Sequence, residues 1–240
     1  WSPPSATAES PVAASDPLTP LRDVLCPDCL DNCQLLHGPL CLRCGLMFKS
    51  CAGEDHRCGD CLTTKGYFGI ARAVGIHQGG LKDLVHGLKY RGRSGLALPI
   101  GRMLLDTFEH HWRMRQVDAV VPIPLHARRL RQRGFNQSAL LLRAWQRAAS
   151  EALVGPLSKG CSTILARARP TPPQTGLSRR QRRRNIRGAF TVVDRSGVKG
   201  QRLLLLDDVF TTGATVEEAA RVLRSAGAVT VDVLTFTRTL

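Results

Sequence analysis

Apolar residues fall along the chain in two patterns, short unbroken runs and stripes at helical spacing. The clearest run is Leu203 to Leu206, four leucines without alternation, as expected for a central parallel strand buried on both faces. It leads directly into Asp207 and Asp208, which places both carboxylates at the carboxyl edge of a sheet. A helix from about Val216 to Ala226, Gly227 as its stop, and "VTVDVLTFTRT" then complete a β-loop-α-β run. Upstream, "VDAVVPIPLH" (117 to 126) reads as a buried strand halted by two prolines, which remove ladder donors. "ARRLRQRGFNQSALLLRAWQRAA" follows, with a helical stripe through Leu140, Leu141, Ala144 and Ala148. Earlier still, Leu81, Leu84, Val85 and Leu88 mark one helix, Leu96 to about His111 a second, and 65 to 77 short strand-like pieces. Strands alternating with helices predict an α/β fold with a parallel sheet, whose ligands bind beyond the carboxyl ends of its strands.

Composition divides the chain further. Residues 1 to 20 are rich in Ser, Pro, Ala and Thr with almost no large apolar groups, and are expected to form a disordered tail. Residues 21 to 64 hold eight of the nine cysteines, as "CPDC", Cys33, "CLRC", Cys51 and "CGDC". The chain shows no secretory signal, so disulfides are disfavoured, and Cys-x-x-Cys spacing puts two thiolates on one metal. Cys41, Cys44, Cys58 and Cys61 make the most economical tetrahedral Zn²⁺ ribbon, a structural site with no position open for substrate. Cys26 and Cys29 are left with Cys33 and Cys51 as the remnant of a second ribbon, a competing pair for the same zinc, or free thiols. The remainder, 65 to 240, is the α/β domain. No apolar run is long enough to span a bilayer, so a soluble cytoplasmic protein without membrane insertion is expected.

The net charge of +15 points to polyanionic partners. It is concentrated: from Ala119 to Val193 there are fifteen Lys or Arg against the single acid Glu151. Within that stretch "STILARARPTPPQTGLSRRQRRRNIRGAF" carries three prolines, eight arginines and no acid, and reads as a mobile basic arm at about 158 to 188. Lys89, Tyr90 and Arg91 end a predicted helix, where cations suit either the helix dipole or a phosphate.

Two adjacent carboxylates repel unless donors meet them, and the vicinal hydroxyls of a sugar are such donors. The loop after them, Thr211, Thr212, Gly213, Ala214 and Thr215, offers hydroxyls, a glycine and backbone N–H groups at a helix start, a cradle for phosphate. Together they fit a ribose 5-phosphate. The alternative is a plain strand-to-helix turn with solvated aspartates. The G-x-x-x-x-G-K-[ST] loop and the G-x-G-x-x-G fingerprint are both absent here.

"LLLLDDVFTTGAT" resembles the phosphoribosyl pyrophosphate (PRPP) signature of type I phosphoribosyltransferases. With "CLRCG...CGDC", "LKYRGRSGLA", "VPIPLHARRLRQRGFNQS" and "RPTPPQTGLSRRQRRRNIRGAF", the chain from about Cys26 to Leu240 is similar to the ComF family of competence proteins. That resemblance implies a phosphoribosyltransferase-like parallel sheet with an N-terminal zinc ribbon. It implies ribose hydroxyls on Asp207 and Asp208, the 5-phosphate on Thr211 to Thr215, and pyrophosphate with Mg²⁺ beside Pro124, Leu125 and His126. It further implies a lid that includes Arg167, Thr171, Gln174, Arg182 and Asn185, with Arg167 and Arg182 as the residues facing the leaving group. Residues 62 to 116 would be the hood that selects the acceptor. Family members often carry one more amino-terminal cysteine pair, which this chain lacks. The activity implied is transfer of a phosphoribosyl group to an acceptor the sequence does not reveal, in DNA uptake. The alternative is a non-catalytic factor that binds single-stranded DNA and retains a PRPP-like pocket; competence and DNA-uptake proteins are further expected partners.

Overall fold

A computed structural model describes residues 16–50, 53–90, 92–152, 159–160, 164–172, 176 and 178–240. The first elements are a short turn of 3₁₀ helix (Thr19–Leu21), α1 (Pro27–Asp31) and α2 (Gly59–Thr63) in the cysteine-rich segment. Then follow β1 (Ala71–Ile76), α3 (Gly79–Tyr90), α4 (Ala97–Trp112), β2 (Ala119–Pro122), α5 (Ala127–Arg133) and α6 (Gln137–Glu151). The remaining elements are β3 (Lys159–Gly160), β4 (Leu165–Arg167), α7 (Arg179–Ile186), β5 (Phe190–Val192), β6 (Arg202–Phe210), α8 (Ala214–Ser225) and β7 (Thr230–Arg238).

Five strands form one sheet in the order β1-β7-β6-β2-β3, and every pairing is parallel. The leucine run lies in the centre of that order, and its side chains divide between two cores. Leu204 and Leu206 pack with α3, α4 and α6, where Trp112 and Trp145 are almost fully buried. Leu203 and Leu205 pack beneath α8, with Ala219, Ala220 and Leu223. A fully buried leucine contributes roughly 1.5–3 kcal/mol, so this one strand anchors both layers.

β6 carries the leucine run and both aspartates on to Phe210, because β7 pairs with it through Arg238. Two segments differ from expectation. The helix expected after "VPIPLH" is two helices, since Gly134 ends α5 at φ +83° and Asn136 starts α6 by accepting a hydrogen bond from the Ser138 N–H. The basic arm carries order: β4 and β5 pair antiparallel, Ser178 and Gln181 form a capping box on α7, and Ile164, Leu165, Ile186 and Phe190 are buried. Those four apolar positions are too few and too scattered among arginines to stand out in the sequence. Gln174 lies outside the described residues.

The amino-terminal region is also tied in. Leu21, just past the tail expected at 1 to 20, is fully buried in the first core, and Leu18 at the end of that stretch packs against it; residues 1–15 are not among those described. Residues 34 to 43 cover the outer edge of β1: Ile76 N–H donates to Gln34 O, Leu36 N–H to Val74 O, and Ala71 N–H to Arg43 O. A sheet edge is thereby closed by the cysteine-rich segment. Within 62 to 116, the stretch expected to be the hood, β1 belongs to the main sheet and α3 and α4 to its first core.

Candidate functional site

β2 stops at Pro122, opposite Leu206, while β6 runs on beside β7. Past Leu206 one side of β6 therefore has no strand neighbour among the described residues, and the two aspartates sit there. They have different partners. Asp207 is half-buried, and its Oδ1 accepts from Ser138 Oγ at 2.9 Å and from the Asp208 N–H at 2.9 Å. Asp208 is buried, with its Oδ2 2.8 Å from Lys89 Nζ at the end of α3. Lys89, which the sequence left between helix dipole and phosphate, places its ammonium on a carboxylate of β6. Ser138 had no such signal: a serine after a helix cap has no reason of its own to face an aspartate.

Burial, and then the neighbouring charge of Asp208, push the Asp207 carboxyl up to about 7. A raised acid binds its proton more tightly in the folded chain, so stability is greatest below the ordinary carboxylate range and declines as pH rises towards 7. Asp207→Asn, which retains the acceptor oxygen, is expected to match wild type near pH 4 and to exceed it above pH 7 by roughly 2–4 kcal/mol. Thermal melts of both proteins across that range check this; equal curves at every pH would contradict it.

The loop from Thr211 to Thr215 turns β6 into α8. Gly213 is its pivot at φ +73°, and a Cβ there would lie 2.7 Å from the Phe210 ring. The N-cap of α8 is Gly213, which has no side chain to cap the helix, and the buried Thr212 Oγ1 has no hydrogen-bond partner in the structure. Thr211, Thr212, Gly213 and Ala214 form one wall of a cavity of about 300 Å³, and Cys44, Cys58 and Cys61 belong to the facing wall. Arg43 and Glu217 close one end: the Arg43 guanidinium lies 3.5 Å from Glu217 Oε2, and the Tyr67 N–H donates to Glu217 Oε1 at 2.6 Å. Asp207 and Asp208 do not line this cavity.

A second, basic cavity of about 480 Å³ brings together His126, Arg128, Arg129, Arg167 and Thr171. Pro124 and Leu125 lead into it, fixed by Asn136 Nδ2 donating to Ile123 O at 3.1 Å. His126 caps α5, its Nδ1 accepting from the Arg128 N–H at 3.2 Å, so that nitrogen is an acceptor here. The Arg167 guanidinium donates to Thr171 Oγ1 and lies over the Phe190 ring at 5.6 Å. Burial and then the nearby Arg129 lower its pKa, while Asp207 acts in the opposite sense. Asn185 Nδ2 donates to Pro172 O at 3.1 Å, holding α7 to the arm. Arg182 lines neither cavity; its neighbour Arg183 lines the loop cavity. Two of the expected lid residues, Arg167 and Thr171, therefore share a cavity with His126 of the "VPIPLH" loop.

Cys41, Cys44, Cys58 and Cys61 converge, with all four Sγ atoms within 4.8 Å of one another. Zn–S bonds of about 2.3 Å at tetrahedral angles put sulfurs about 3.8 Å apart; Cys44 Sγ and Cys58 Sγ lie at 3.8 Å. The Cys44 and Cys58 N–H groups point at Cys41 Sγ from 3.4 and 3.3 Å, donors suited to a thiolate. The donor set fits Zn²⁺ or a similar soft metal. Buried arginines fasten this knot to the sheet: Arg72 on β1 donates to Cys41 O and Leu42 O, and Arg238 on β7 donates to Cys44 O.

No protein-family model matches the chain. The DNA utilization protein YhgH of Escherichia coli O157:H7 is 36% identical over 210 residues, covering 84% of this chain and 85% of its own length. Competence protein F of Haemophilus influenzae is 28% identical over 216 residues, covering 84% of this chain and 91% of that protein. Among solved structures, a glutamine PRPP amidotransferase from Bacillus subtilis overlaps 57% of this chain and 25% of its own at 20% identity and a TM-score of 0.35.

Proposed function

Since this chain belongs to the ComF family of DNA utilization and competence proteins, we propose that it binds PRPP and transfers its phosphoribosyl group to an acceptor, in support of DNA uptake or use. The observation that carries the reading is the sequence of features along β6 and α8: a half-buried carboxylate, a buried carboxylate held by Lys89, and a helix start reached through Gly213 in the left-handed region. In this reading Asp207 and Asp208 accept hydrogen bonds from the ribose hydroxyls, and the N–H groups and hydroxyls of Thr211 to Thr215 take the 5-phosphate. Arg129 and Arg167, beside the loop Pro124 to His126, face the pyrophosphate.

Displacing pyrophosphate from ribose C1 builds positive charge on the sugar and negative charge on the leaving group, so positioning and electrostatics suffice without a covalent nucleophile. The carboxylates stabilise the sugar side and the guanidinium groups the leaving side. Mg²⁺ carried with the pyrophosphate would neutralise part of its charge. Of the two arginines singled out from the sequence, Arg167 lines the basic cavity with His126 and Arg129.

Calorimetric titration with PRPP and Mg²⁺ tests the proposal. Two charge-assisted hydrogen bonds are worth about 1.5–3 kcal/mol each, so Asp207→Asn with Asp208→Asn is expected to weaken binding by roughly 100-fold or more. A wild-type protein with no affinity for PRPP removes the enzyme reading. The concentration of positive charge between residues 119 and 193 favours a second reading, single-stranded DNA binding without turnover. It predicts salt-dependent DNA affinity that the same double substitution leaves intact.

A further inference from the structure

The ribbon leaves Cys26, Cys29 and Cys33 without a role, and their geometry differs from a metal knuckle. Cys26 is the N-cap of α1, in extended backbone at φ −71° and ψ 162°, and its side chain is exposed. Cys29, three residues on and half-buried, lines the same cavity as Cys26. Hydrogen bonding from Cys29, its backbone first, holds the Cys26 thiol below its ordinary value, and that with Cys26 raises the Cys29 thiol. The Cys33 thiol is engaged elsewhere, donating to Cys29 O at 3.3 Å, and burial pushes it up to about 11. Among the described residues the four ribbon cysteines are the only close group of three or more metal-binding side chains. A tetrahedral metal at Cys26 and Cys29 would lack half its ligands.

The pair opens on a cavity of about 380 Å³ between α1 and α3, where Asp83, His86 and Arg93 also reach the surface. That volume admits a small organic molecule, and Arg93 offers a cation to a carboxylate. We propose that Cys26 and Cys29 are a dithiol–disulfide pair that exchanges with low-molecular-weight thiols and disulfides. Cys26 is the attacking sulfur. Its thiolate attacks one sulfur of a small disulfide and expels the other half as a thiolate, leaving a mixed disulfide on Cys26. Deprotonated Cys29 then attacks the Cys26 sulfur and releases the second small thiol. Two protein thiols are oxidised to one disulfide and the small disulfide is reduced to two thiols, so electrons and protons balance.

The test uses the full-length, zinc-loaded protein and glutathione disulfide, with alkylation and peptide mass mapping as the readout. In wild type, Cys26 and Cys29 are expected to disappear together from the alkylated set and to reappear as a linked pair, with the zinc content unchanged. Cys29→Ser should accumulate a persistent glutathione adduct on Cys26, while Cys26→Ser leaves Cys29 alkylatable. The proposal is overturned if both thiols of the wild type stay alkylatable, if the adduct accumulates on Cys29 rather than Cys26, or if Cys26→Ser loses an equivalent of zinc.

Discussion

Removing zinc is expected to cost this protein more than any single side chain. In Cys41→Ser, or in wild type treated with a strong chelator, the melting temperature should fall by at least about 10 °C. Structural zinc in isolated fingers supplies about 10–16 kcal/mol of apparent binding free energy, against a typical domain stability of about 5–15 kcal/mol. A loss of even about 5 kcal/mol corresponds to roughly 10–20 °C for a chain of this size. The effect should spread beyond the ribbon, because the Cys41 and Cys44 carbonyls are what Arg72 and Arg238 hold. Both arginines are buried on strands of the main sheet, and loss of the knot would leave their guanidinium groups short of acceptors in place. The β1 edge would lose the Arg43 carbonyl that receives the Ala71 N–H, and the cavity beside Thr211 to Ala214 would lose a wall. Metal analysis by atomic absorption, paired with thermal melts, reads both parts. An unchanged zinc content in Cys41→Ser would remove Cys41 from the ligand set.

What the sequence disclosed and what it hid follow from one distinction. Features set by a residue and its near neighbours were legible. The leucine run, the stop at Gly227 and the two Cys-x-x-Cys knuckles all express local rules of burial, turning and ligand spacing, and the structure realises each of them. Contacts between residues far apart in the chain were not legible. Nothing local indicates that Lys89 meets Asp208, that Ser138 meets Asp207, or that Glu217 in the first turn of α8 reaches Arg43 in the ribbon. The basic arm shows the same limit from the other side. Its arginines dominate the composition, yet its order comes from the few apolar residues that enter the second core and from the β4 and β5 pairing, both of which need partners elsewhere.

Lys89→Met follows from the least legible of those contacts. Methionine retains the length and apolar stem of lysine, so the change removes a charge with little loss of packing. What remains is the Asp208 carboxylate, 6% exposed, without its cation. Breaking a buried pair by removing one member costs about 3–5 kcal/mol, chiefly because the stranded charge keeps its desolvation penalty. The expected drop in melting temperature is roughly 6–20 °C. The ammonium also draws the Asp207 carboxyl downward, so its loss should push that group still higher and leave less of it ionised at neutral pH. Stability and ligand affinity then separate in the double variant. Adding Asp208→Asn to Lys89→Met removes the stranded charge and should recover most of the stability, while PRPP affinity stays low because the acidic pair is no longer intact. A double variant as unstable as Lys89→Met alone would mean that the lysine acts through packing. A double variant that binds PRPP like wild type would mean that the paired carboxylates are not where the ribose is held.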